Sequence, residues 1–253
     1  MVDIEKLIRE IKEELEGKQN VTSHTASSNI TVCDVPRRLE HSLLTVGLTR
    51  EALLADCRLV RTLQVAAVCV APYYVADAAE MLAGSSVLVC AAVGFPSAFM
   101  STEAKAIDVR SCVAQGAAEI DLAMDIAAVK SGNFVKAEKD FMRAAEAAQG
   151  RCVVKAVFEH GSYDDSEKES VLRIIERSGV PYLKIQNMTS GHGARVEDIR
   201  FVRDILGSNI KIKIDGGVKT LDQAMELFRA GAYRIGLTAT KTVAEEAVKM
   251  KYV

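Results

Sequence analysis

Lysines and an aspartate stand inside apolar, β-branched runs of this chain, where a charge is expensive. Residues 210–220 read Ile-Lys-Ile-Lys-Ile-Asp-Gly-Gly-Val-Lys-Thr. Period-two alternation there puts Lys211 and Lys213 on one face and the isoleucines on the other. Residues 180–185 embed Lys184 in the same manner, and Asp121 and Lys155 interrupt the apolar runs 119–124 and 152–158. Burying an ammonium group without a partner costs roughly several kcal/mol, so such residues are kept for pairing or for chemistry. A lysine nucleophile must be partly deprotonated near neutral pH, and desolvation with a neighbouring cation lowers its pKa, by up to ~3–5 units in buried cases. Lys184 and Lys213, on consecutive runs, fit that need. One would attack a carbonyl to form a Schiff base, the other would supply positive charge, and Asp121 would shuttle protons through water. The pKa of Lys184 is accordingly expected to fall. The residues alone leave a second reading open: a buried Lys–Asp lattice without chemistry.

The elements that must hold these groups repeat along the chain. Apolar runs occur at 39–44, 64–70, 87–93, 119–124, 152–158, 182–185, 210–214 and 233–236. Helical patterns follow near 49–61, 73–83, 101–116, 134–149, 165–178, 195–206, 220–230 and 240–250, so each strand precedes a helix. Eight β-α units predict a (β/α)8 TIM barrel over residues 30–253, an α/β fold, rather than a doubly wound sheet, and no G-x-G-x-x-G follows any run. Chemistry in such a barrel sits at the C-terminal ends of the strands. The polar groups to watch are then Glu40, His41, Asp121, Asp125, Lys155, Glu159, Lys184, Lys211, Lys213 and Asp215. Residues 1–17 place Ile4, Leu7, Ile8, Ile11 and Leu15 at helical spacing. This predicts an added N-terminal amphipathic helix, joined by a small, polar linker that ends at residue 29.

Composition narrows the function classes. With 32 Lys and Arg against 34 Asp and Glu, the net charge of -2 supplies no basic field for nucleic acid. The six cysteines are scattered without zinc-site spacing, and four sit among apolar residues, which predicts a reducing, cytoplasmic setting. No apolar signal-peptide core or membrane-length apolar stretch is present, so neither secretion nor a membrane span is expected. His41, His160 and His192 lack a metal spacing, and no metal is expected. The adjacent residues of Ser190-Gly191-His192-Gly193 do not fix a triad and read as a substrate-side loop.

Lys213-Ile-Asp-Gly-Gly-Val-Lys-Thr220 resembles the Lys-Ala-Ser-Gly-Gly-Ile-Arg-Thr segment of the deoxyribose-phosphate aldolases. Further matches are Glu40-His-Ser-Leu-Leu44, Val68-Cys-Val-Ala-Pro-Tyr-Tyr74, Gly94-Phe-Pro96, Glu119-Ile-Asp121, Lys155 through Glu159, and the run ending in Lys184. The resemblance runs in order from about Leu39 to Thr240. It implies a cofactor-free class I aldolase of deoxyribonucleotide catabolism, which joins or cleaves acetaldehyde and glyceraldehyde 3-phosphate through 2-deoxyribose 5-phosphate. By resemblance, Lys184 is the Schiff-base lysine, Lys213 the lysine that perturbs it, Asp121 the acid/base and Lys155 a supporting charge. Gly216, Gly217, Lys219, Gly236 and Thr238 would hold the phosphate of a small sugar or aldehyde substrate.

The departures fall where substrate is held. The family's Thr-Ser-Thr-Gly after the Schiff-base lysine is Ile185-Gln-Asn-Met188 here, and a small residue before the double glycine is Asp215. The Gly-Thr-Ser-Ser-Gly after the last strand is Gly236-Leu-Thr-Ala-Thr240. These changes predict weak aldolase activity. The alternative is an impaired aldolase-fold protein that acts as a protein-binding or regulatory factor. A homo-oligomer and a protein partner both remain open from sequence.

Overall fold

The structure, a computed structural model, describes residues 30–187 and 191–250. The expected N-terminal helix and linker, Met188 and Ser190 lie outside the described residues. Eight strands alternate with helices: β1 (Leu39–Leu43), α1 (Arg50–Leu63), β2 (Ala67–Val70), α2 (Val75–Leu82), β3 (Leu88–Val93), α3 (Thr102–Ala114), β4 (Glu119–Ala123), α4 (Ile126–Lys130), α5 (Phe134–Glu146), β5 (Val153–Glu159), α6 (Asp165–Ser178), β6 (Tyr182–Gln186), α7 (Val196–Leu206), β7 (Lys211–Asp215), α8 (Leu221–Arg229), β8 (Arg234–Leu237) and α9 (Thr240–Met250). All neighbours pair in parallel, and β8 closes onto β1 through Leu39↔Ile235, Glu40↔Gly236 and His41↔Leu237. The expected (β/α)8 barrel is the observed fold.

Helix starts follow their capping chemistry. Thr49 accepts the Ala52 N–H ahead of α1, and Asp164 with Glu167 forms a reciprocal capping box on α6. The second strand begins at Ala67 rather than Gln64, because Gln64 adopts a left-handed conformation (φ 52°) that terminates α1. The short α4 was not legible as a helix; Asp125 caps it by accepting the Ala128 N–H.

Alternation along the strands divides the molecule into two environments. Outward residues such as Ile120, Leu122, Leu183, Ile185, Ile212 and Ile214 pack against the helices in one large apolar layer. Inside the barrel, Ala67, Cys69, Cys90 and Ala92 on β2 and β3 form a small apolar cluster, with Leu44 and Phe95 above it, and Ala123 and Val157 add inward apolar positions on β4 and β5. Barrels of this kind ordinarily fill their interior with branched apolar side chains. Here the remaining interior positions on β1 and β4 to β8 are occupied mainly by charges.

Candidate active site

Parity explains why the charges meet. Asp121 is in register with Lys155 on β5, Lys184 with Lys213 on β7, and Lys213 with Arg234 on β8. Residues in register on neighbouring strands face the same side of the sheet, so a period of two carries all of them inward. Lys211 shares that parity but lies at the start of β7, exposed, with its ammonium 5.4 Å from the Tyr182 ring centre and 4.7 Å from that of Tyr233. It belongs to the floor of the barrel, not to the cluster.

Asp121 is the hub. Its Oδ2 lies 2.7 Å from Lys213 Nζ and 3.0 Å from Lys184 Nζ, while its Oδ1 lies 3.3 Å from Lys155 Nζ. Cys90 donates its thiol to Oδ1 at 3.1 Å, and Cys69 Sγ stands 3.6 Å from Oδ2. Glu40 receives Lys213 at 2.6 Å, Lys155 at 3.0 Å and Arg234 at 3.0 Å. Glu119 bridges Lys155 at 2.5 Å and Arg234 at 2.8 Å. Asp215 completes the set, with Oδ2 at 2.7 Å from Lys184 and Oδ1 at 3.7 Å from Lys213. Four cations thus meet four carboxylates, and each ion contacts at least two of opposite sign. Lys155, Lys184 and Lys213 are fully buried.

The electrostatic consequence differs from the sequence expectation. Burial and Lys213 push the Lys184 pKa down, as anticipated, but the Asp121 and Asp215 carboxylates outweigh them and hold it above the ordinary lysine value. Lys213 and Lys155 are likewise raised well above that value, burial being overcome by Asp121 and its companions. Burial pushes the Glu40 carboxyl up, yet Lys155 and Lys213 hold it at about 2. The same contest, with Lys155, Lys184 and Lys213 prevailing over burial, keeps Asp121 well below the usual carboxylate range. In the resting state Lys184 is therefore an ammonium ion, and it makes its two ion pairs without a well-aligned hydrogen bond.

Above the lattice opens a cavity of about 420 Å³ at the C-terminal ends of the strands. Of the residues expected to hold phosphate, Gly216, Gly217, Gly236 and Thr238 line it; Lys219 is exposed and is not among its lining residues. Gly216 N–H donates to Gly236 O at 3.3 Å, and Lys219 N–H donates to Gln223 Oε1 at 2.8 Å as part of the α8 start. The missing side chain of Gly236 has its own reason. A Cβ there would fall 1.9 Å from Asp215 Oδ1, so the glycine makes the space in which the carboxylate lies. Ile185, expected to face the substrate, instead points outward into the apolar layer; Gln186 takes the interior position and donates to Glu159 at 2.8 Å.

His41 faces away from the lattice, with Nδ1 2.8 Å from Thr240 Oγ1. Sequence reasoning missed Glu119, Arg234, Cys69 and Cys90 as members of the site. A signal existed in Arg234, a cation within the short run Tyr-Arg-Ile-Gly. Cys69, Cys90 and Asp121 bring ligand-type atoms within 4.8 Å of one another, as do Glu40, Cys90 and Glu119. Their carboxylates already compensate lysines, and burial holds the Cys90 thiol well above its usual pKa, both unfavourable to a cation there.

Fold and site together define a (β/α)8 barrel with a lysine–carboxylate centre beneath the catalytic face of the fold. A deoxyribose-phosphate aldolase of Bacillus cereus (strain AH187) is 33% identical over 210 residues, covering 83% of this chain and 94% of the relative. One from Geobacillus sp. (strain WCH70) is 32% identical over 212 residues, covering 84% and 95%. The chain belongs to the deoxyribose-phosphate aldolase family. Among solved structures, "QR15, an Aldolase" superposes with a TM-score of 0.82 at 26% identity, covering 87% of this chain and 98% of that one. The tetrameric deoxyribose phosphate aldolase of Aeropyrum pernix shares the fold, with a TM-score of 0.76 at 19% identity over 87% of this chain and 93% of its own. The family model described as "Histidine biosynthesis protein" matches residues 143–251, the second half of the barrel. Among the described residues, no helix is long and apolar enough to cross a membrane.

Proposed function

We propose that this aldolase-like lyase works through a Schiff base on Lys184 and reversibly cleaves 2-deoxyribose 5-phosphate to glyceraldehyde 3-phosphate and acetaldehyde, at a low rate. The observation that carries the reading is the sharing of Asp121 Oδ2 by Lys184 at 3.0 Å and Lys213 at 2.7 Å beneath an open cavity. Lys184, once it has lost a proton to a neighbouring carboxylate or water, adds to C1 of the open-chain sugar; loss of water leaves an iminium ion. Removal of the C3 hydroxyl proton lets the C2–C3 bond break, its electrons passing to the iminium nitrogen as an enamine while the phosphorylated aldehyde departs. Protonation of the enamine at C2 and hydrolysis release acetaldehyde and the amine. Asp121, held as a carboxylate, moves these protons through water, and Lys213 keeps positive charge beside the nitrogen. Lys155 balances Asp121, Glu40 and Glu119.

The low rate follows from Asp215, which favours the unreactive ammonium form of Lys184. Borohydride reduction in the presence of acetaldehyde, followed by peptide mass mapping, tests the mechanism. Labelling is expected on Lys184 and lost in Lys184→Ala; no label, or one unchanged by that substitution, sinks the reading. The regulatory reading open from sequence gains no support from the curated relatives, which are named as aldolases.

A further inference from the structure

The next inward residue after Lys184 on β6 is Gln186, and the aldolase reading gives it no task. Its side chain is 3% exposed and lines the cavity. In register with it on β5 is Glu159, also buried, whose carboxylate accepts the Gln186 Nε2 donor at 2.8 Å. An ionised carboxylate only accepts, so it dictates which end of the amide faces it. The amide NH2 turns toward Glu159, and Oε1 is left on the other side. Among the described residues nothing donates to Gln186 Oε1, and the atom is not one of the sealed, unpaired ones, so it opens to the cavity. An acceptor fixed in this way and left without a donor is a state that a ligand hydroxyl relieves.

Position and chemistry select the hydroxyl. Two residues of strand set Gln186 about 6.6 Å nearer the mouth than Lys184. A sugar joined at C1 to Lys184, with its phosphate toward Gly216, Gly217 and Thr238, passes this side chain with its C3 and C4 hydroxyls. The C3 hydroxyl must give up its proton for the C2–C3 bond to break, and an amide oxygen is too weak a base to take it. The C4 hydroxyl keeps its proton throughout, which suits a neutral acceptor. In the direction of synthesis it is the 2-hydroxyl of the acceptor aldehyde.

We propose that Gln186 is a specificity-determining residue whose Oε1 accepts the 2-hydroxyl of the acceptor aldehyde, and that Glu159 is the positioning residue that keeps the amide turned for it. The inference rests on the Schiff-base reading and deepens it. 2-Hydroxy aldehydes are then favoured over 2-deoxy aldehydes of the same length and charge.

The test uses the full chain, acetaldehyde as donor and two acceptors of equal charge and length: glyceraldehyde 3-phosphate and 3-oxopropyl phosphate, which lacks only the 2-hydroxyl. The quantity read is kcat/KM for aldol formation with the first divided by that with the second, in wild type, Gln186→Met and Glu159→Gln. Comparing this quotient between proteins cancels the intrinsic reactivities of the two aldehydes and any general change at Lys184. It is expected to fall about tenfold or more in Gln186→Met, which keeps the side-chain length and removes the acceptor. Gln186→Leu serves if the methionine variant does not fold. In Glu159→Gln the group that dictates the amide's orientation is gone, and the quotient should fall in the same direction, a discrimination that a purely structural role would not move. A smaller fall in the Gln186 variant overturns the proposal, as does the absence of any aldol from glyceraldehyde 3-phosphate in a wild type whose Lys184 is labelled by acetaldehyde and borohydride. No fall in Glu159→Gln overturns the part given to Glu159. Failure of acetaldehyde to label Lys184 instead overturns the Schiff-base reading, so the failures are distinct.

Discussion

Asp215 Oδ2 stands 2.7 Å from Lys184 Nζ, closer than Asp121 Oδ2 at 3.0 Å, and Asp121 and Asp215 together raise the pKa of the candidate nucleophile. Removing the carboxylate takes away one of the two charges that raise the lysine. In Asp215→Ser the Lys184 pKa should fall, and the rate of acetaldehyde trapping at neutral pH should rise by roughly tenfold or more, one pKa unit being a tenfold change in free amine. A trapping rate measured across pH gives the answer directly. An unchanged profile would show that Asp215 does not govern Lys184.

Asp121 predicts the opposite kind of result. Asp121→Ala strips the shared partner from Lys155, Lys184 and Lys213, all fully buried, and should cost roughly 3–5 kcal/mol of stability. The urea midpoint should drop accordingly or the variant should fail to fold. A wild-type midpoint would mean that the buried pairs do not contribute as drawn.

The lattice also fixes a pH window for stability. Glu40 is depressed from 4.5 to about 2 and Asp121 is depressed well below 3.8, so their stabilisation is present above the unfolded values and lost as pH falls through the folded ones. The raised lysines contribute fully below 10.5 and lose their stabilisation as pH climbs through the folded values. A series of urea midpoints should show a plateau between about pH 5 and 10, with a decline beginning as the carboxylates are approached from above. A midpoint that stays flat down to about pH 2 would contradict it.

Gly236 and Asp215 should behave as a pair. Gly236→Ala places a methyl group where the carboxylate lies and should cost about 1–3 kcal/mol through overpacking. In an Asp215→Ala background the same substitution should cost much less. Denaturation midpoints of the four proteins form a double-mutant cycle, and additive effects would rule out the steric link.

The barrel itself was legible because each apolar run kept its period, and Lys184, Lys213, Asp121 and Lys155 stood out as charges within those runs. Glu119 did not, and Arg234 did so only weakly as a cation in the short run 233–236, since each opens its strand, where a charge beside a loop is ordinary. Their place in the site depends on closure: Arg234 meets Glu40 across 194 residues of chain, through the β8–β1 seam. Ile185 was misplaced for a different reason, as motif alignment ignores which face a strand residue takes. The direction of the Lys184 shift was missed by counting its cationic neighbour and not the carboxylates around it. Asp215 was visible as a departure, but its contact with Lys184 required coordinates.

Mutual dependence among the eight ions has a consequence for how this site can drift over generations. A lone change that deletes one charge takes a partner from at least two opposite ones and leaves one charge over in a dry interior, so most single steps away from the present set cost several kcal/mol, roughly 3–5 for a buried pair. Routes to a new specificity must run through compensated pairs, or through a position at the lattice edge, where solvent absorbs part of the imbalance. Asp215 is such a position, its side chain 12% exposed while the three buried lysines have none. Of the departures from the family motif, the one that adds a charge thus falls where a change in charge is most easily tolerated.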